Sequence, residues 1–220
     1  MSLVVLNKSF KEPPICKREI LRYMGCNECD NATEEIVQSC IDEIKDKLVY
    51  KVCYCQLPLN IKGDVCDFEV LKLSSQKLAE NLESCKNVIL FAATVGIEID
   101  RLIAKYGRIS PTKALVFQAI GAERIEALCD AFCKEISNEY GKNLTPRFSP
   151  GYGDLAIETQ REIFSVLECK RNIGLTLNDS LLMSPSKSVT AFVGLGGKEK
   201  TAQNKCSLCK MQSCIYRGVL

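Results

Sequence analysis

Apolar positions along the chain alternate between the two spacings of regular structure, and the clearest stretches lie inside the first 200 residues. Ile36, Val37, Cys40, Ile41, Ile44 and Leu48 recur on one helical face, and Asn31 with Glu34 three positions later supplies an N-cap and its reciprocal carboxylate. A short strand at Val4 to Leu6 is predicted before it, then a helix introduced by Pro13 and Pro14 and ended near Gly25. Residues 49–55 and 64–70 alternate with period two around Lys62, Gly63 and Asp64, which predicts a pair of antiparallel strands. Ser74 or Ser75 caps a helix to about Ser84, and the unbroken apolar run 87–93 predicts a strand buried on both faces. A helix from Ile97 stops near Gly107. The longest helix follows, from Ser110 and Pro111 to Gly141, with Leu115, Ala119, Ala122, Ile125, Cys129, Phe132 and Ile136 on its apolar side. A helix through Ile157, Ile163, Phe164 and Leu167 precedes two closing strands, 177–183 and 188–195, joined by a turn at 184–187. Hairpin-like strands mixed with clustered helices predict an α+β fold with a largely antiparallel sheet flanked by helices. A glycine-rich exit at 194–197 divides the chain into a domain at 1–197 and a cysteine-rich appendage at 198–220.

Composition narrows the chemistry. The 220 residues are 46% hydrophobic and 25% charged, enough for a sizeable core, and a net charge of +2 without long basic runs gives no footprint for nucleic acid or an acidic membrane. No stretch has the length and apolarity to span a bilayer, and the expectation is a cytoplasmic protein. The chain has no histidine, which removes the usual general base and every His-containing metal site. Fourteen cysteines without a secretory signal point to thiols in a reducing compartment, with Cys40, Cys85, Cys129, Cys133 and Cys169 acting as small hydrophobes.

One segment escapes periodicity. In Arg147-Phe148-Ser149-Pro150-Gly151-Tyr152-Gly153-Asp154, Pro146 and Pro150 hold their neighbours extended, so Arg147 and Phe148 leave a short extended run before a turn. Gly151 and Gly153 permit positive φ or close approach of a ligand to bare backbone. Arg147 offers a fork of donors for a carboxylate or phosphate, and Tyr152 a ring face. By itself this also reads as a Pro/Gly turn carrying a surface arginine.

The Arg-x-x-Pro-Gly-Tyr loop is followed by a helical stretch and by the block 173–190, which contains Leu175, Thr176, Ser180, Met183, Pro185, Ser188 and Val189. Together they resemble the activation domain of cobalamin-dependent methionine synthase, over roughly Ala114 to Gly196. The resemblance implies that fold and a loop that holds S-adenosylmethionine. Arg147 would pair with its carboxylate, the backbone of Ser149 and Gly151 would meet the adenine edge or ribose, and Tyr152 would lie against the ring or sulfonium. Asp130, in an Asp130-Ala131-Phe132 context like the family's Glu-Ala-Phe, would offset the ligand's positive charge; its plain reading is a solvated acid on a helix face. The family's further N-terminal carboxylate has no counterpart motif here. The implied role is to bind S-adenosylmethionine and dock on a corrinoid-binding methionine synthase subunit, so that its cobalamin, once reduced by an electron donor protein, is remethylated. The chain would then work as one component of that methyltransferase activity.

Cys206, Cys209 and Cys214 form a Cys-x2-Cys-x4-Cys pattern that suits an iron-sulfur cluster or structural zinc, one ligand short of a complete set. Cys26 with Cys29 could complete it or form a separate pair, with Cys16, Cys53, Cys55 or Cys66 as further candidates; exposed thiols without metal are the alternative. Two rival readings follow: an iron-sulfur or zinc-binding redox protein that keeps the fold without the ligand, and an interaction protein that has lost it.

Overall fold

In the computed structural model, residues 3–26 and 29–196 are described below. The elements in order are β1 (Leu6–Phe10), α1 (Lys17–Met24), α2 (Asn31–Ile44), β2 (Tyr50–Pro58), β3 (Asn60–Lys62), β4 (Val65–Asp67), β5 (Lys72–Ser74), α3 (Gln76–Leu82), β6 (Asn87–Thr94), α4 (Glu98–Ile109), α5 (Pro111–Tyr140), a 3-10 turn (Ile157–Thr159), α6 (Gln160–Val166), α7 (Cys169–Ile173), β7 (Thr176–Leu177), β8 (Met183–Ser184) and β9 (Ser188–Leu195).

The central sheet has the order β1-β2-β6-β9, and all its pairs are antiparallel. The apolar run at 87–93 is its inner strand β6. Val88, Leu90 and Ala92 face a core shared with α3, α6 and α7, while Ile89, Phe91 and Ala93 face α5. Burial on both sides is what a continuous apolar strand requires. The C-terminal half of α5 lies on this second face, where Phe132 meets the rings of Phe91, Tyr54 and Phe10. Its N-terminal half turns away into a third core with α1, α2 and α4, through Val116, Phe117, Ala119 and Ile120.

Most predicted elements are present, and the exceptions have local causes. The strand at 49–55 does not pair with 64–70: β2 lies between β1 and β6, and the Gly63 hairpin joins β3 to β4 in a separate three-stranded sheet. The apolar β6 needs a long neighbour on each side, and β2 supplies eight consecutive pairings from Lys51 to Pro58. The predicted strand at 177–183 is reduced to the two-residue pairs of β7 and β8. Between them the Asn178 side chain accepts the Leu182 N–H (2.9 Å) and Leu181 takes a φ of 62°, so a local side-chain bond replaces the ladder. β1 begins at Leu6 rather than Val4, and Asp30, not Asn31, caps α2 by accepting from Thr33 N–H. Helix α4 runs through Gly107 and ends at Ser110, the residue before Pro111, where proline disfavours helix. On α5 the predicted Leu115 is exposed, whereas Val116, Phe117 and Ile120 are buried, because three helices surround the first half, and Leu128 is buried against the sheet.

After α5, the chain at 143–148 runs along the outer edge of β9. Thr145 N–H donates to Gly194 O, and Phe148 and Phe192 exchange both backbone bonds at 3.0 and 2.8 Å. Pro146 interrupts this pairing because it has no N–H to give. The extended approach predicted for Arg147 and Phe148 is therefore present, and it delivers the loop to the mouth of the sheet.

Candidate functional site

Backbone bonds fold the loop at 149–155 on itself. Tyr152 N–H donates to Ser149 O, Gly151 N–H to Leu155 O at 2.8 Å, and Leu155 N–H to Tyr152 O. Gly151 and Gly153 sit at φ of 85° and 57°, and a Cβ on Gly153 would stand 3.1 Å from the Lys77 side chain. Both glycines serve the turn and its seat on α3. The Asp154 carboxylate fixes that seat by accepting from the Ser75 hydroxyl and from the N–H groups of Gln76 (2.8 Å) and Lys77 (3.2 Å).

These bonds, the Ser75 hydroxyl foremost, hold the Asp154 carboxyl below its usual range. Since the folded-state pKa lies under the unfolded value of about 3.9, the stabilisation is complete above about pH 4 and is lost as pH falls through the folded value. Asp154→Asn is expected to be less stable than the parent at neutral pH. Urea denaturation across pH should show that gap narrowing in acid.

Arg147 projects from the loop onto α5. Its Nη2 donates to Glu126 Oε2 at 2.6 Å and its Nη1 to Asp130 Oδ1, two carboxylates one helical turn apart. Burial opposes the guanidinium charge, but the carboxylates of Asp130 and Glu126 more than restore it, and the pKa lies above its ordinary value. Cys129 and Cys133, beside this pair, are pushed up by burial and stay thiols.

Between the loop, α5 and β9 lies a cleft of about 250 Å³ lined by Glu126, Arg147, Ser149, Pro150, Tyr152, Gln160, Met183, Ser188, Val189 and Thr190. Tyr152 is 55% exposed at its rim, its ring centroid 6.4 Å from that of Phe148. The structure thus brings Arg147, Ser149 and Tyr152 to one cleft and pairs Arg147 with Asp130. Asp130 itself faces a neighbouring hollow of about 520 Å³ between α1 and α5, and Gly151 is absent from the lining of the cleft. The carboxylate that reaches the cleft is Glu126, four residues before Asp130 on the same helix face. That i, i+4 spacing of two acids was visible in the sequence, but which one looked inward depended on the rotation of α5.

Cys206, Cys209 and Cys214 lie outside the described residues. Cys26 is half-buried and Cys29 exposed, and among the described residues no group of three potential ligands could hold a metal ion. Cys53, Cys55 and Cys66 belong to the core between the sheet and α3, α6 and α7. Burial pushes the Cys66 thiol up to about 11 and that of Cys55 to about 12, which opposes the thiolate a metal needs. Cys40, Cys85, Cys129 and Cys169 are buried and Cys133 is half-buried, as expected of small hydrophobes. Among the described residues no helix is long and apolar enough to cross a membrane.

A search of curated proteins gives no match. Among solved structures, the chain is similar to one titled "Crystal Structure of the MetH Reactivation Domain bound to AdoHcy", with a TM-score of 0.64 and 15% identity over 87% of this chain and 78% of that one. At that identity the likeness establishes the fold: an antiparallel sheet flanked by helices. The sequence model described as "Vitamin B12 dependent methionine synthase, activation domain" matches residues 77–203, which include β6, α5, the loop at 149–155 and β9. The match covers more than half of the chain, and the protein belongs to the family of vitamin B12 dependent methionine synthase activation domains.

Proposed function

We propose that the chain binds S-adenosylmethionine in the cleft between the loop and α5 and presents its methyl group to a cobalamin carried by a methionine synthase partner. The observation that carries this reading is the charge of the site. Glu126, Asp130 and Arg147 form one cluster of two carboxylates and one guanidinium, leaving one negative charge in excess. S-adenosylmethionine, with a carboxylate, an ammonium and a sulfonium, carries one positive charge. The guanidinium uses Nη1 and Nη2 on the two acids and can turn further N–H groups to the ligand carboxylate, while Glu126 faces the cationic part. Tyr152 offers a ring face at the rim for the adenine or sulfonium. Because Ser149 O already serves the turn, Ser149 would contact the nucleoside through its N–H, while Gly151, outside the lining of the cleft, would act by shaping the loop. Asp130 acts through Arg147 in this arrangement.

The proposed reaction calls for no proton transfer. In the proposed transfer the methyl group would leave the sulfonium for the partner's reduced cobalamin, and the donor would depart as a neutral thioether. The protein's share is orientation and a field that accepts a cationic donor. The electron that precedes transfer comes from a separate donor protein. Titration calorimetry should show one site for S-adenosylmethionine, with weaker binding of S-adenosylhomocysteine, which lacks the positive sulfur, and a preference that shrinks with added salt. No binding by the folded protein would overturn the reading.

The tail thiols Cys206, Cys209 and Cys214 are proposed to hold an iron-sulfur cluster or zinc, a reading that rests on their spacing. Metal analysis of anaerobically purified protein tests it, since a Cys209→Ser chain should lose the metal that the parent retains.

A further inference from the structure

Among the described residues, three buried side-chain oxygens have no hydrogen-bond partner: Asn81 Oδ1, Gln160 Oε1 and Thr190 Oγ1. Two of the three line the cleft beneath Arg147. They come from different elements, Gln160 from the first position of α6 and Thr190 from the middle of β9, where it stands opposite Ala92 of β6. Exposure is 6% for Gln160 and 2% for Thr190. Ser188, two positions earlier on the same strand face, shows the usual outcome: its hydroxyl is bonded to Thr94 Oγ1 and to Pro185 O, both at 2.8 Å. Native interiors satisfy the large majority of buried polar atoms, so two oxygens without a partner in the chain, both lining one cavity, call for a partner there, a ligand or an ordered water.

We propose that Gln160 and Thr190 form a hydrogen-bonding floor of the cleft that receives a neutral donor group of the bound nucleoside. The inference rests on the cleft being the ligand site described above and assigns two residues to it. Both oxygens are uncharged, and a cation buried against two neutral dipoles would be poorly compensated; the ligand's charged end belongs with Glu126 and Arg147. What remains on such a ligand are the O–H donors of a ribose diol and the N–H donors of an exocyclic amine. Thr190 can accept and donate, and the Gln160 oxygen accepts.

Thr190→Val and Gln160→Met replace each group with an apolar one of similar shape. In ligand-free protein their melting temperatures should equal or exceed that of the parent, because an unsatisfied oxygen is removed. Affinity for S-adenosylhomocysteine, read by calorimetry, should fall about tenfold in each, the loss expected for one hydrogen bond. Two analogues separate the donor sources, one without the exocyclic amine and one without the 2′-hydroxyl. The analogue missing the recognised donor should bind parent and variants alike. Melting temperatures that drop in both variants would show that the oxygens have internal partners and would sink the inference. Unchanged affinity in both variants, with binding still dependent on Arg147, would sink it alone and leave the proposed function standing. A parent that binds no S-adenosylhomocysteine or S-adenosylmethionine would remove both.

Discussion

Arg147→Ala is expected to weaken S-adenosylmethionine binding by at least about thirtyfold, the lower end of what truncating one partner of a hydrogen-bonded charge pair removes. Two effects add. The ligand carboxylate loses its donor fork, and Glu126 and Asp130 lose the cation that orients them and reduces their mutual repulsion. The fold should survive, because both carboxylates reach solvent and the loop is held independently by Asp154 on α3 and by the Phe148–Phe192 pair on β9. Arg147→Lys should recover only part of the affinity: an ammonium keeps the charge but cannot span two acids and a ligand with fixed geometry. Calorimetry on the variants, with circular dichroism to confirm the fold, gives the answer. Unchanged affinity in Arg147→Ala would remove Arg147 from the site.

The largest effect on stability is expected at Arg124. This side chain is 0% exposed and paired with Glu123, itself 4% exposed, within α5. Its Nη1 donates to Pro13 O at 2.6 Å and its Nη2 to Pro14 O at 2.8 Å, while Glu123 Oε1 accepts the Cys16 N–H at 3.1 Å. One buried ion pair thus ties the N-terminal segment and the start of α1 to the helix that carries Glu126 and Asp130. Arg124→Leu should destabilise the protein by about 3–5 kcal/mol, since Glu123 would be left buried without its partner. Replacing both residues by apolar ones should return much of the loss, because no uncompensated charge is left behind. Urea denaturation of the single and double variants measures both, and equal losses in the two would show that the charge pair is not the cause.

Local rules were enough for most of the helices. The Ser110-Pro111 start and Gly141 stop of α5, the Ser75 cap of α3 and the apolar run of β6 are each written in neighbouring residues, and the structure has all of them. The loop at 147–154 was also legible, since two prolines and two glycines constrain a short segment whatever surrounds it. What the sequence could not show was the partner of Arg147. The loop carries one guanidinium and the chain many acids, and only the packing of α5 against the sheet selects Glu126 and Asp130.

The chain by itself therefore determined most of its element types and the extended approach and tight turn of the loop, because these depend on bonds between residues close in sequence, and its composition alone rules out histidine chemistry. Tertiary structure decided that β2 joins β6 rather than the Gly63 hairpin, that Leu115 faces water, and that Gln160 and Thr190 share one unsatisfied hollow with Arg147. Those outcomes depend on which surfaces bury one another across tens of residues, and a one-dimensional pattern sets the apolar face of an element without setting what covers it.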